Sequence, residues 1–384
     1  MVSRADRSPI SRWWWTVDKG LLFAAILLMA SGLVFSLAAS PAISIKLHKG
    51  MYYLFTRHAI FLVPAFAVML GLSFLDKNKA RRAAFLLFGV AMVAMVATMF
   101  FGYEAKGSRR WISLGFFSLQ ASEFLKPGFV VVTAWLFSEN IRRPDIPGNL
   151  FSIILYAIVV ALLVAQPDLG QTILISSVWA AMFFMAGMPW LWIAGLGVFA
   201  IIGLFSAYFT LGHFASRIDR FLTGTGDTFQ VDKGLEAITR GGWFGQGPGE
   251  GTVKRILPDS HTDFIFSVTA EEFGIIVCAV LIIVFAFIVM RGLGHALRER
   301  DGFVRLAVSG LVMLFGFQSI INMAVNLQLM PAKGMTLPFI SYGGSSLISV
   351  AFGMGLLLAF TRARPEARRH DKAMYVPAAM QAAE

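Results

Sequence analysis

The sequence predicts an all-α, polytopic membrane protein with ten transmembrane helices and a large extracytoplasmic loop between the seventh and eighth. Three observations carry this. Hydrophobic residues make up 57% of the 384-residue chain, and the mean hydropathy is +0.71. Charged residues are only 14%, against about 25% in a soluble domain. The apolar residues also gather into runs near the bilayer-spanning length of about 20 residues. A soluble core of this size has no room for so much apolar side chain. That excludes a cytosolic enzyme, a disordered chain and a soluble repeat protein.

In chain order, stretches free of Asp, Glu, Lys and Arg cover residues 20–45, 59–75, 83–103, 146–167, 169–216, 273–290, 306–332 and 334–361. The 20–45 run follows a basic start, as a signal peptide would. It is longer than a signal's apolar core and carries Pro41 after its small residues, so a retained helix is expected. The 169–216 run is long enough for two helices, with Gly187-Met188-Pro189 as the break. A short tenth helix is expected over 124–138, with Lys126 snorkelling outward. Residues 1–19 then form a cytoplasmic N-terminal segment, 20–361 the membrane domain and 362–384 a mobile cytoplasmic tail.

The net charge is +11. Arg4, Arg7, Arg12 and Lys19 at one end, and Arg362, Arg364, Arg368, Arg369 and Lys372 at the other, place both termini in the cytoplasm and require an even number of spans. Ten spans also turn Lys77, Lys79, Arg81, Arg82, Arg142, Arg143 and the cations of 291–305 inward, so 19 of the 33 cations face the cytoplasm. The other 14 face outward, where the positive-inside rule gives no reason for them. Basic residues split between two membrane faces argue against nucleic acid. Cys278 is the single cysteine. An intrachain disulfide is therefore excluded, and no Cys/His metal site is suggested.

Four polar segments face outward on this topology. The largest, 213–263, lies between spans seven and eight, and its stretch 241–251 holds six glycines in eleven residues. It lacks the Gly-Lys-Ser/Thr of a P-loop and the preceding strand of a dinucleotide-binding turn. A flexible linker is the ordinary reading, while the embedded Trp243-Phe244 points to backbone passing close to something. The segment ends in Leu257-Pro-Asp-Ser-His-Thr-Asp-Phe264, which sets Asp263 at the start of an apolar helix. Capping alone explains an Asp there, and so does chemistry at the membrane surface. Glu271 and Glu272 follow about 12 Å deeper along the helix, where ionisable groups are functional candidates.

The second segment runs from Lys106 to Lys126 and is basic and aromatic, as an interfacial helix or strand also is. The third, Ala165-Gln-Pro-Asp-Leu-Gly170, puts one acid in a hairpin turn. The fourth, 330–346, carries Lys333 with prolines and glycines at membrane depth. These mark either broken backbone lining a cavity or a kinked structural helix. Outward cations at a membrane surface, with Asp168 and Asp263 among the few acids, suit a substrate with a lipid tail and a phosphate head.

Together these segments resemble the SEDS family of bacterial cell-wall glycosyltransferases (shape, elongation, division and sporulation). The resemblance rests on Lys106-Gly-Ser-Arg-Arg-Trp111, Gln120-Ala-Ser-Glu-Phe-Leu-Lys126, Ala165-Gln-Pro-Asp-Leu-Gly170, Gly242-Trp-Phe-Gly-Gln-Gly247, His261-Thr-Asp-Phe-Ile-Phe266 and Pro338-Phe-Ile-Ser-Tyr-Gly-Gly-Ser-Ser346, in the family's order and spacing. Pro331-Ala-Lys-Gly-Met-Thr-Leu337 is more like the division member than the elongation member. Ala121 departs from the family, which has proline there. The resemblance implies polymerisation of lipid II into β-1,4 glycan strands with release of undecaprenyl pyrophosphate, for septal wall synthesis. It implies a multi-pass protein of the cytoplasmic (inner) membrane with its active site on the periplasmic face. The implied partners are lipid II, the nascent glycan chain, a class B penicillin-binding transpeptidase and other divisome membrane proteins.

Matched position by position, Asp263 falls on the family's catalytic aspartate. Inverting displacement needs a base for the acceptor hydroxyl. Pyrophosphate leaves readily once its charge is neutralised, so the paired carboxylates of glycoside hydrolysis are not required. The candidate substrate-binding residues are Lys106, Arg109, Arg110, Glu123, Lys126, Asp168, Arg217, Lys333, Ser341 and Tyr342. Of these, Arg110, Lys126, Arg217 and Lys333 are expected to hold phosphate. Glu123 and Asp168 would orient those cations or bind a divalent cation, Mg2+ or Mn2+; no organic cofactor is expected. Two readings from other classes compete: a flippase that moves lipid II, and a non-catalytic scaffold of the division machinery.

Overall fold

Away from water, every backbone N–H and C=O needs a partner within its own segment, so apolar runs of bilayer length become helices. A computed structural model describes residues 8–363 except 47, 106–107, 114, 116, 332–333 and most of 211–228. In chain order it contains α1 (Pro9–Thr16), α2 (Lys19–Lys46), α3 (Tyr53–Ser73) and α4 (Lys77–Phe101), then strands β1 (Tyr103–Ala105), β2 (Ser108–Ser113) and β3 (Ser118–Gln120). There follow α5 (Ala121–Arg142), α6 (Gly148–Ala165), α7 (Leu169–Met185), α8 (Trp190–Thr210), α9 (Phe229–Gly241), a 3-10 turn at Val253–Arg255, α10 (Ile265–Arg298), α11 (Gly302–Asn326) and α12 (Gly344–Phe360). Six of these helices, α2, α3, α4, α6, α10 and α11, are long and apolar enough to cross a membrane; α7, α12 and the first part of α8 are apolar but shorter.

The bundle is built around α11. Its most apolar stretch is 78% buried, against 22% for α3, α4 and α6. It packs on α5, α7, α10 and α12, while α3 lies against α12 and α4 against α5. The outer helices leave large apolar side chains such as Val63, Leu86, Val93 and Phe100 exposed. In water this would be an aggregation hazard; in a bilayer it is the lipid-facing surface.

One end of the bundle is tied by ion pairs. Asp301 caps α11 by accepting from Phe303 N, and it also binds Lys77 Nζ at 2.8 Å and Arg142 Nη2 at 2.9 Å. Asp18 binds Arg291 Nε at 2.7 Å and His295 Nε2 at 2.5 Å. Arg362 donates to Thr16 Oγ1 and to the carbonyl of Phe74. The cations expected inside at Lys77, Arg142, Arg291 and Arg362 thus gather at a single end. The tail from 364 lies outside the described residues.

The structure settles or corrects the sequence reading at three points. The chain is mostly helical, and the basic, aromatic segment left open as helix or strand pairs as strands: β1, β2 and β3 form an antiparallel sheet in that order, with Trp111 opposite Gln120 and Ile112 opposite Leu119. Its aromatic and β-branched residues favour a pleated surface over a helix. The helix expected at 124–138 is a full 22 residues, Ala121–Arg142, because its charged first turn is buried rather than extruded. Finally, α10 is broken at Gly274 (φ 82°, ψ 172°). Glu271 and Glu272 lie on the short helical segment before that break, and their side chains turn to the polar loop. Glu271 accepts from Val253 N at 2.6 Å and Lys254 N at 2.9 Å, and Glu272 pairs with the buried Lys254, which also donates to Ala38 O at 3.1 Å. They are partnered structural acids, not isolated charges deep in a spanning helix.

Candidate active site

Opposite the Asp301 end, the chain between α9 and α10 closes in a turn over residues 259–264. Thr262, Asp263 and Phe264 each donate their N–H to Asp259 O. The turn is also gripped from outside through three successive carbonyls. His261 O accepts from Tyr342 N at 2.9 Å, and Thr262 O accepts from Ser341 Oγ at 2.6 Å. Asp263 O accepts from the side-chain amides of Asn322 and Asn326, both at 2.9 Å. With its backbone held this way, the half-buried Asp263 does not cap α10, whose N-cap is Phe264. The Asp263 carboxylate faces the chain at Gly334, where a Cβ would stand 3.6 Å from Oδ2.

A chain of charged and amide groups leads from the sheet toward the same segment. Arg110 on β2 lies 3.6 Å from Asp168, and also donates to Gln166 O at 3.0 Å and to Pro167 O. Asp168 caps α7 through Gln171 N and accepts from Gln120 Nε2 at 3.3 Å. Gln171 Nε2 donates to Glu123 Oε1 at 2.6 Å, and Glu123 pairs with Lys126, one turn on, at 2.8 Å. Lys126 Nζ donates to Gln318 Oε1 at 3.0 Å, and Gln318 Nε2 donates to Thr336 O at 3.1 Å. Thr336 is two residues from Gly334, so the cation chain and Asp263 converge on 334–336.

These groups are buried: Glu123 is 4% exposed, Lys126 2% and Asp168 2%. A charge at such a depth persists only when paired and hydrogen-bonded. Lys126 therefore does not snorkel outward; Glu123 and Gln318 replace its water. Burial pushes the Asp168 carboxyl above its usual range, against the opposing pull of Arg110. Burial likewise raises the Tyr342 hydroxyl.

Of the residues expected at the site, the structure brings together Arg110, Glu123, Lys126, Asp168, Asp263, Ser341 and Tyr342. Ser341 and Tyr342 act on the backbone of the Asp263 turn. Arg109 is not in the group: strand alternation turns it to the opposite face of β2, exposed, 3.9 Å from Glu104. Lys106, Arg217 and Lys333 lie outside the described residues. A count of charges passes over Gln171, Gln318, Asn322 and Asn326. The last three recur at i, i+4 and i+8 on α11, and that spacing in an apolar run was the available signal.

A narrow cleft opens beside Lys126, Gln318 and Ser349, with Pro127, Phe315 and Met354 among its apolar walls. It is polar at one end and greasy at the other. Glu123 and Asp168 are already matched by Lys126 and Arg110, and no group of three or more His, Cys, Asp or Glu side chains suited to a metal occurs among the described residues. In this arrangement the two carboxylates fit their cations rather than a divalent ion.

Fold and site define a multi-pass membrane protein that buries matched carboxylates and cations at one end of its bundle, beside a half-buried aspartate. The chain belongs to the FtsW/RodA/SpoVE family of cell cycle proteins, whose model matches residues 19–366. A probable peptidoglycan glycosyltransferase FtsW of Caulobacter vibrioides is 46% identical over 367 residues, covering 95% of this chain and 94% of that protein. One of Trichlorobacter lovleyi is 35% identical over 351 residues, covering 89% and 92%. Among solved structures, a chain of a peptidoglycan synthase complex that coordinates polymerization and crosslinking superposes with a TM-score of 0.75 at 28% identity, over 91% of this chain and 98% of that one. The rod shape determining protein RodA of Thermus thermophilus gives 0.67 at 28% identity, over 91% and 97%.

Proposed function

We propose that this protein is a septal peptidoglycan glycosyltransferase that polymerises lipid II, with Asp263 as its general base. It crosses the inner membrane ten times: the six long apolar helices, the shorter α7, α8 and α12, and α5, whose charges are buried. Both termini are cytoplasmic, and the Asp263 end faces the periplasm. The gathering of Lys77, Arg142, Arg291 and Arg362 at the other end supports this orientation.

The observation that carries the reading is the convergence of the Asp263 carboxylate and the Arg110-to-Gln318 chain on 334–336. Asp263 accepts the proton of the acceptor 4-hydroxyl as its oxygen attacks the anomeric carbon of the growing chain, inverting it. The bond to undecaprenyl pyrophosphate breaks, and cations of this face neutralise the charge that develops on it. Arg110 and Lys126 are the described candidates for that role, with Arg217 and Lys333 joining them. The fixed backbone of residues 261–263 holds the base in place. The transpeptidase partner is a class B penicillin-binding protein, with other divisome membrane proteins around the pair. Purified protein and partner incubated with lipid II are expected to yield glycan polymer. An Asp263→Asn variant that folds and polymerises at the parent rate would overturn the assignment.

A further inference from the structure

The break in α10 has a partner. A new helix start leaves backbone N–H groups without intrahelical acceptors, and at the edge of a bilayer they must find some elsewhere. After Gly274, Ile275 N donates to Gly242 O at 2.9 Å and Ile276 N to Trp243 O at 3.4 Å. Before it, Glu271 O and Glu272 O accept from Gln246 N and Gly247 N at 2.8 and 3.0 Å. The contact leaves no room for side chains. A Cβ on Gly245 would stand 2.2 Å from Glu272 O, and one on Gly274 2.3 Å from Trp243 O. The glycine-rich stretch is thus a clamped turn, not a linker.

This turn holds two large aromatic side chains outward: Trp243 is 69% exposed and Phe244 83%. They stand over the start of the outward apolar face of α10, which begins with the exposed Ile275 and Ile276. The exposed Arg240 lies one turn before the pair, and its contact with Thr252 brings the exposed Arg255 alongside.

We propose that Trp243 and Phe244 insert into the boundary between head groups and acyl chains of the outer leaflet, as an anchor that fixes the height of the loop carrying Asp263. The pair continues the lipid-facing surface of α10, so the bilayer is its natural occupant. Aromatic residues at the end of a spanning segment belong to the interfacial belt. Arg255 supplies charge that complements anionic phospholipid heads, while Arg240 beside it is already paired with Glu236 at 2.6 Å. The proposal takes the outward placement of the loop from the reading above, but not the reaction.

The test uses the full chain with Cys278 replaced by alanine and one new cysteine: Trp243→Cys, Phe244→Cys or, as a water-facing control, Glu250→Cys. Each carries a polarity-sensitive fluorophore in nanodiscs of phosphatidylethanolamine and phosphatidylglycerol. Nanodiscs expose both faces to the bath, so depth is read independently of orientation and without substrate. Labels at 243 and 244 are expected to emit at shorter wavelength, to be quenched by phospholipid spin-labelled near its head group, and to resist iodide. The label at 250 is expected to show the reverse. Equal iodide quenching at 244 and 250 overturns the proposal. So does shielding that appears only when the transpeptidase partner is added, which would assign the pair to a protein interface. Should Trp243→Cys fail to fold, the highly exposed Phe244 position carries the test by itself.

Discussion

Asn326 donates its side-chain amide to the main-chain oxygen of Asp263 at 2.9 Å, while its own oxygen accepts from Ser267 N at 3.1 Å and Ser267 Oγ at 2.7 Å. One residue of α11 thus ties the turn of the proposed base to the first helical turn of α10. Asn326→Leu takes the described acceptor from Ser267 N and Oγ and leaves Asp263 O with Asn322 as its described side-chain donor, at about 1–3 kcal/mol for a buried group left unpaired. A lower melting midpoint is expected, with kcat for lipid II polymerisation falling more than KM rises. An unchanged kcat in the folded variant would show that the turn does not depend on this amide.

The buried pair of Glu123 and Lys126 makes a different prediction. Lys126→Met leaves the buried Glu123 without its cation, with Gln171 as its remaining side-chain partner among the described residues, and breaking such a pair costs about 3–5 kcal/mol. The double variant Glu123→Gln/Lys126→Met removes both charges and is expected to recover most of that loss in thermal unfolding. Polymerisation is expected to stay low in both variants, because the proposed function assigns the lost cation to the substrate's phosphates. Recovery of activity along with stability would make the pair purely structural.

Asp263→Asn separates position from proton transfer. Asparagine keeps the size of the side chain and the backbone contacts to Asn322 and Asn326, so melting is expected to stay close to the parent. Polymer formation is expected to fall by about a hundred- to ten-thousand-fold, the range for losing a general base. Lipid II binding to the folded variant is expected to persist. A flippase or scaffold role for Asp263 would leave polymerisation by the protein–partner pair unaffected.

At the opposite end, burial by itself raises the Asp18 carboxyl, but bonds from His295 and Arg291 outweigh it and hold Asp18 well below the usual carboxylate range. A carboxyl depressed in the folded state contributes fully above its unfolded value of about 4 and loses that contribution as pH falls toward the folded value. The melting midpoint of the parent is therefore expected to drop as pH is lowered through this window, and Asp18→Asn to flatten that part of the curve. Identical acid-side slopes would remove Asp18 from the account.

Most spans were legible because hydropathy is a local sum: a run of about 20 apolar residues has one low-energy answer in a bilayer, whatever its neighbours do. Asp263 and the cations of the polar segments stand out in the sequence because ionisable groups beside apolar runs need a reason to be there. Whether 103–120 forms a helix or strands was not legible, because strand pairing between segments fixed the structure there. Lys126 was misplaced because a charge near a helix end reads as exposed until its partners are known. Gln318 comes from a helix 192 positions along the chain.

The amides of α11 look neutral in a charge count, yet they place the base and the cation chain on one segment. The break at Gly274 is likewise invisible in an apolar run, since it exists only because Gly242 and Trp243 offer carbonyls to the restarted helix. Hydrophobic transfer is additive along the chain, so sequence alone settled the membrane class, most of the spans and the residues worth watching. Pairing of buried polar groups depends on which segments meet, so only the packed bundle settled where Lys126, Glu271 and Asp263 stand and what holds them.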